Sequence, residues 1–130
     1  MLSPSNRLTS PAHFREVVRR GRRCGSPLMV VHLLAPEAER APAGVPAEPR
    51  VGLVVSKAVG PAVTRNKVAR RLRHLARERT GRLPSHGMLV VCALQPAAHA
   101  AYDELADELD RCLARLGVSA DRAASAEVSG

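Results

Sequence analysis

The segment 63–79 constrains the fold more than any other. Val68, Leu72, Leu75 and Ala76 recur at three- and four-residue spacing and share one helix face, while Lys67, Arg70, Arg73, His74 and Arg77 fall opposite. Across 65–82, eight basic residues stand against Glu78 alone. Such a helix must bury its apolar stripe on a sheet or on another helix, and it turns its cations outward. A face kept only for solubility interleaves Glu with Lys at pairing distance, whereas an almost carboxylate-free face holds charges that repel one another until an anion arrives. Gly81 and Pro84 end the helix.

The rest of the chain supplies what this helix packs on. Ser10 and Pro11 read as a cap and a first helical position, Phe14, Val17 and Val18 follow at helical spacing, and Gly21 is the stop, giving a short helix over 11–20. Apolar, β-branched runs at 28–34, 50–56 and 88–94 predict strands, the last apolar throughout and therefore central. The Ala-, Pro-, Gly- and Glu-rich stretch within 35–50 is expected to be a mobile hairpin connection. Tyr102, Leu105, Leu109, Cys112, Leu113 and Leu116 trace a final amphipathic helix. Its acidic side, with Asp103, Glu104, Asp107, Glu108 and Asp110, reads as a solvated outer surface. The Arg19–Arg23 cluster reads as a solvated helix end, with an extension of an RNA-facing surface as the alternative. With 130 residues there is room for one domain, expected over 1–117, with a disordered tail at 118–130. One Phe, one Tyr and no Trp mean that the core is built from Val, Leu and Ala. These elements make an α/β (α+β) two-layer sandwich, one sheet with helices packed on it.

Charge narrows the function. Twenty Lys and Arg, eighteen of them arginine, outweigh twelve Asp and Glu to give a net charge of +8, which points to a polyanion and most often to nucleic acid. The N-terminal residues contain no apolar signal core and no run approaches a membrane span, so a cytoplasmic protein is expected. Cys24, Cys92 and Cys112 are odd in number and widely spaced, which suits reduced packing residues rather than a disulfide framework or a zinc site. His13, His32, His74, His86 and His99 have no metal-ligand spacing. No phosphate-binding loop, dinucleotide fingerprint or nucleophile elbow is present.

The most informative stretch is 50–73, where a buried strand, Val51-Gly-Leu-Val-Val-Ser-Lys57, runs through a turn at Gly60-Pro61 into Arg65-Asn66-Lys67-Val68-Ala69-Arg70-Arg71-Leu72-Arg73. Guanidinium forks match phosphate oxygens bidentately and stay charged at any cellular pH. Asn66 sets a two-way hydrogen-bonding amide among them, suited to a base edge, a 2′-hydroxyl or a hydrated metal ion. This stretch resembles the bacterial ribonuclease P protein family, the protein subunit of the tRNA-processing ribozyme. Arg7-Leu8, Phe14, Arg19-Arg20-Gly21, the strand ending at Leu34, the segment 87–94 and the last helix stand in the family's order, so the resemblance covers roughly residues 6–117.

The resemblance implies an α-β-β-β-α-β-α order with a central mixed sheet of about four strands and a left-handed βαβ crossover. It implies that Arg65, Asn66, Lys67, Arg70, Arg71, Arg73 and Arg77 meet the catalytic RNA, and that Phe14, Val18, His32 and Lys57 border a cleft for the single-stranded 5′ leader of precursor tRNA. Val18 and His32 stand where the family often carries aromatics, leaving Phe14 as the one stacking ring. It further implies that the RNA holds Mg²⁺ and hydrolyses the phosphodiester, with Asn66 as the sole protein-side metal candidate, and that the protein alone is not catalytic. The residues agree, since the acidic residues of the last helix look solvated and no histidine pair is placed for acid–base cleavage. The alternatives from composition are a non-catalytic ribosome-associated RNA-binding protein, an autonomous nuclease and a basic membrane binder. An autonomous nuclease would need carboxylates clustered to hold Mg²⁺, and the one cluster reads as a solvated face; the membrane binder would need the apolar face that the core uses.

Overall fold

The computed structural model describes residues 7, 8, 10–35 and 48–118. In chain order the elements are α1 (Pro11–Arg20), β1 (Arg22–Gly25), β2 (Met29–Leu34), β3 (Arg50–Val54), α2 (Ala62–Arg79), β4 (Met88–Ala93) and α3 (Tyr102–Arg115). The four strands form one sheet in the order β1-β2-β4-β3. β1 and β2 are antiparallel, as are β2 and β4, while β3 and β4 are parallel neighbours joined through α2.

This order corrects one expectation. β2 and β3 are not hairpin partners, because β4 lies between them and takes both sets of hydrogen bonds. β4 is apolar on both faces (Met-Leu-Val-Val-Cys-Ala), which suits an interior strand better than the shorter β3 with its polar start. Most of the connection expected to be mobile, 36–47, lies outside the described residues, as does 119–130 of the expected disordered tail. The first residue of that tail is a second correction, since Val118 is 5% exposed in the core and its amide donates to the Leu113 carbonyl at 2.8 Å. A third correction concerns the arginine cluster, since Arg22 and Arg23 belong to edge strand β1 and not to a helix end. A strand of four residues with Cys24 as its one buried side chain carries too little apolar signal to be marked.

The alternation of strand side chains sorts the interior into two cores. Met29, Val31, Leu33, Val51, Leu89 and Val91 face α2 and α3, meeting Val68, Leu72, Leu75, Leu105, Leu109 and Leu113, all at most 5% exposed. Val90 and Met88 face the other way and meet Leu8 and Val17, with Phe14 packed alongside. The sheet and its two long helices are thus the two main layers, and α1 adds a partial layer on the opposite face. Ser10 caps α1, its Oγ accepting from the His13 amide at 3.5 Å. Cys112 is buried, donating its thiol to the Cys24 carbonyl at 3.9 Å, and burial first, then the neighbouring Cys24, pushes that thiol up to about 12. It stays a packing group. Among the described residues no helix is long and apolar enough to cross a membrane.

α2 is fastened to α3 by charge. Arg79 is 8% exposed and grips Asp110 with two parallel bonds, Nε to Oδ1 at 2.6 Å and Nη2 to Oδ2 at 3.0 Å, while Arg82 adds a third at 3.1 Å and Arg79 Nη1 reaches the Leu75 carbonyl. Asp110 is therefore no solvated carboxylate, and two of the cations in 65–82 have an internal partner after all. The hydrogen bond from Arg79 holds the Asp110 carboxyl below the ordinary value of 3.8, against the opposing pull of burial. A depressed value gives stabilisation that is present above 3.8 and is lost as pH falls through the folded-state value. Asp110→Asn should therefore cost about 1–3 kcal/mol at pH 7, less than a fully buried pair because the Asp110 side chain is 36% exposed. Urea melts of both proteins should show the difference at pH 7 and its shrinkage at pH 3.

Candidate nucleic-acid interface

Two surfaces emerge from this arrangement. The first is the outer face of α2. A Gly60 backbone at φ 154° and ψ −168°, a region open essentially to glycine alone, reverses the chain after β3, and Pro61 starts the helix without a side-chain cap. With Val68, Leu72, Leu75 and Ala76 at 1–2% exposure against the core, the helix is fixed in rotation. Asn66, Lys67, Arg70 and Arg77 are consequently exposed, and Arg65 and Arg73 are half-buried. Arg65 is steered by its Nε, which donates to the Gly60 carbonyl at 3.1 Å, leaving the far side of its guanidinium outward. Arg71 differs, since its Nη1 donates to the Ala100 carbonyl at 3.2 Å and ties the helix to the turn before α3. Lys67, Arg70, Arg73 and Arg77 have no carboxylate partner among the described residues. Glu78 is engaged with His74 and with the Tyr102 hydroxyl, which donates to it at 3.3 Å.

The second surface is the sheet face that α1 leaves uncovered. The chain enters over β3, where the Leu8 amide donates to the Val51 carbonyl, and α1 then crosses toward β1. One cross-strand row reads Arg23, His32, Val90, Gly52, and the next reads Gly25, Val30, Cys92, Val54. Phe14 lies on Gly52 so closely that a Cβ there would run into the ring's Cζ and stand 2.6 Å from Cε1. Val30 and Cys92 are half-buried, and Val54 is 38% and Val18 48% exposed. The result is a groove along α1 with an apolar floor, one aromatic ring on its wall and Lys57 exposed just beyond β3. Of the expected cleft residues, Phe14 and Val18 sit on α1, Lys57 follows β3, and His32 sits in the floor at only 7% exposure. Burial first, and the nearby Arg23 cation second, lower the His32 value, so its ring is neutral at pH 7.

Sequence reasoning missed Gly52, and it set Arg23 within an arginine cluster read foremost as a solvated helix end. A glycine inside an apolar strand is a recognised mark of close approach by another group, so Gly52 carried a usable signal. The contact should appear as coupling in a double-mutant cycle. Gly52→Ala is expected to destabilise by about 1–3 kcal/mol through overpacking, and much of that loss should vanish when Phe14→Leu is already present. Additive effects in thermal melts would show that the ring does not depend on the glycine.

The chain matches the Ribonuclease P family model over residues 2–117. It is 57% identical over 117 residues to the ribonuclease P protein component of a Nocardioides species, covering 90% of this chain and 96% of that protein, and 51% identical to that of Streptomyces avermitilis, covering 89% and 95%. The crystal-structure neighbours include the Staphylococcus aureus RNase P protein, with a TM-score of 0.73 at 24% identity over 87% of this chain and 96% of that one. The RNase P protein of Thermotoga maritima aligns with a TM-score of 0.63 at 22% identity, over 79% and 90%. Those two likenesses speak to the fold, and the close relatives speak to the function. The chain belongs to the ribonuclease P protein family, and it serves as the protein subunit of the endoribonuclease that processes tRNA 5′ ends.

Proposed function

We propose that the outer face of α2 docks the catalytic RNA through Arg65, Asn66, Lys67, Arg70, Arg73 and Arg77, and that the α1–sheet groove holds the 5′ leader of precursor tRNA. The single observation behind this reading is the row of α2 cations without a carboxylate partner among the described residues, on a helix whose rotation the core fixes. Arg71 belongs to the same face but is partly spent on Ala100. The groove suits an extended single strand. Phe14 offers a stacking surface that accepts any base, and Lys57 a cation at one end.

Mg²⁺, in this reading, is held by the RNA, where it supplies the activated water and stabilises the leaving oxygen. The side chains described here do not suit a protein-held ion. Asp110 is committed to Arg79 and Arg82, Glu104 accepts from the Ala101 amide, and among the described residues no three ligating side chains converge. Asn66 is exposed among cations, a setting that repels a bare divalent ion. The protein's part is affinity and placement: it neutralises phosphates on both RNAs and holds the leader so that the scissile bond enters the ribozyme's site. Such an assembly works in the cytoplasm, where the free thiols of Cys24, Cys92 and Cys112 stay reduced.

Reconstitution with the organism's own ribozyme RNA tests this. Added protein should restore cleavage of a labelled precursor tRNA at Mg²⁺ levels where the RNA alone is slow, and no change there would refute the reading. The double substitution Arg65→Ala, Arg70→Ala should flatten the dependence of log affinity for the catalytic RNA on log salt by about 1.5, the loss of two phosphate contacts. An unchanged slope would remove α2 from the interface.

A further inference from the structure

The groove has a second charged end. Arg23 sits on edge strand β1, in direct register with His32, and its side chain shares the face of His32, Val90 and Gly52. Its neighbours confirm the alternation: Cys24 enters the core on the α3 side, and Arg22 reaches the Leu116 carbonyl at 3.2 Å on that same side. Arg23 is exposed and has no carboxylate or carbonyl partner among the described residues. Beneath it, Nδ1 of His32 is buried without a hydrogen-bond partner, a polar atom left open on the groove floor. Three interstrand spacings, about 14 Å, separate Gly52 under the Phe14 ring from Arg23. A few nucleotides of extended single strand bridge that span.

We propose that Arg23 is a phosphate contact for single-stranded RNA in this groove, closing the end opposite Lys57. The inference rests on the groove being the leader channel and adds a second cation to it. Where Val18 and His32 provide no stacking ring, charge on the backbone replaces stacking on the bases. The guanidinium forks onto a phosphate whatever base is attached, so the contact carries affinity with little sequence preference.

The test uses the reconstituted holoenzyme and precursor tRNAs whose leaders are graded from one nucleotide upward. Arg23→Ala should weaken binding of long-leader substrates roughly 3- to 10-fold and lower their salt slope by about 0.7, one single-strand phosphate contact, while a one-nucleotide leader binds as before. Arg23→Lys should keep most of the salt slope. An equal loss at every leader length, a loss of affinity for the catalytic RNA alone, or no loss at all would overturn the proposal. Phe14→Leu, measured beside it, separates the two levels. If Phe14→Leu blunts the leader-length dependence and Arg23→Ala does not, Arg23 is excluded and the channel stands. If neither variant changes it, the channel reading fails as well.

Discussion

β4 is the constraint on which everything else rests. Its six residues hydrogen-bond to β2 on one side and β3 on the other, and their side chains alternate between two cores of unequal size. The larger core takes two helices and fixes the rotation of α2, so that the basic face has nowhere to point but outward. The smaller core takes only α1, which covers part of the sheet and leaves the row Val30, Cys92, Val54 as a floor. Both candidate RNA surfaces are thus by-products of how one apolar strand divides its side chains. A polar substitution at Val90 or Val91 would act on both surfaces at once, because each is packed to zero or 1% exposure on its own face.

Carboxylates are spent sparingly and in places that keep the cations free. Asp110 satisfies Arg79 and Arg82, Glu108 meets Arg111 at 2.9 Å, and Glu78 turns to His74 and Tyr102. The pairs of Asp110 and Glu78 lie where α2 meets α3, at the end of α2 away from Arg65. The opposite end and the outer face carry cations that repel one another in the free protein. On the proposed reading, docking on an RNA backbone would relieve that repulsion and release the counterions condensed on the phosphates, so charges that add nothing to the fold would supply the affinity.

Much of this was legible in the amino-acid order because periodicity reports burial directly. The stripe Val68, Leu72, Leu75, Ala76 and the end signals Ser10-Pro11 and Gly21 marked two helices to within a residue. The strand 88–94 was placed centrally for its double-sided apolarity, and it is. What failed depends on tertiary partners. Nothing local distinguishes Asp110 from Asp107, although one is seized by a buried arginine and the other is exposed. β1 is four residues of Arg, Arg, Cys and Gly, and only its pairing with β2 makes it a strand. Strand adjacency failed for the same reason: chain order suggests that β2 and β3 pair, yet β4, arriving later, fits between them. The placement of the site residues on α1 and α2 followed from helical spacing, whereas the groove floor needed the sheet register.

The two surfaces also differ in what they ask of RNA, and this follows from their chemistry alone. On α2 the cations are borne on a stiff rod at helical spacing, so they suit a folded RNA whose phosphates are themselves fixed in place. The groove is shallow and apolar, with one ring resting on a glycine and a neutral histidine buried in its floor. Among the described residues, the floor positions Val30, His32, Val90, Cys92, Gly52 and Val54 carry no charge at pH 7; a cation there would be desolvated at high cost, while one at the rim stays hydrated until a phosphate replaces the water. In the proposed reading, a leader would touch the floor with its bases and the rim with its backbone. Neither the ring nor a rim cation distinguishes one base from another, so the proposed groove would accept leaders of differing sequence.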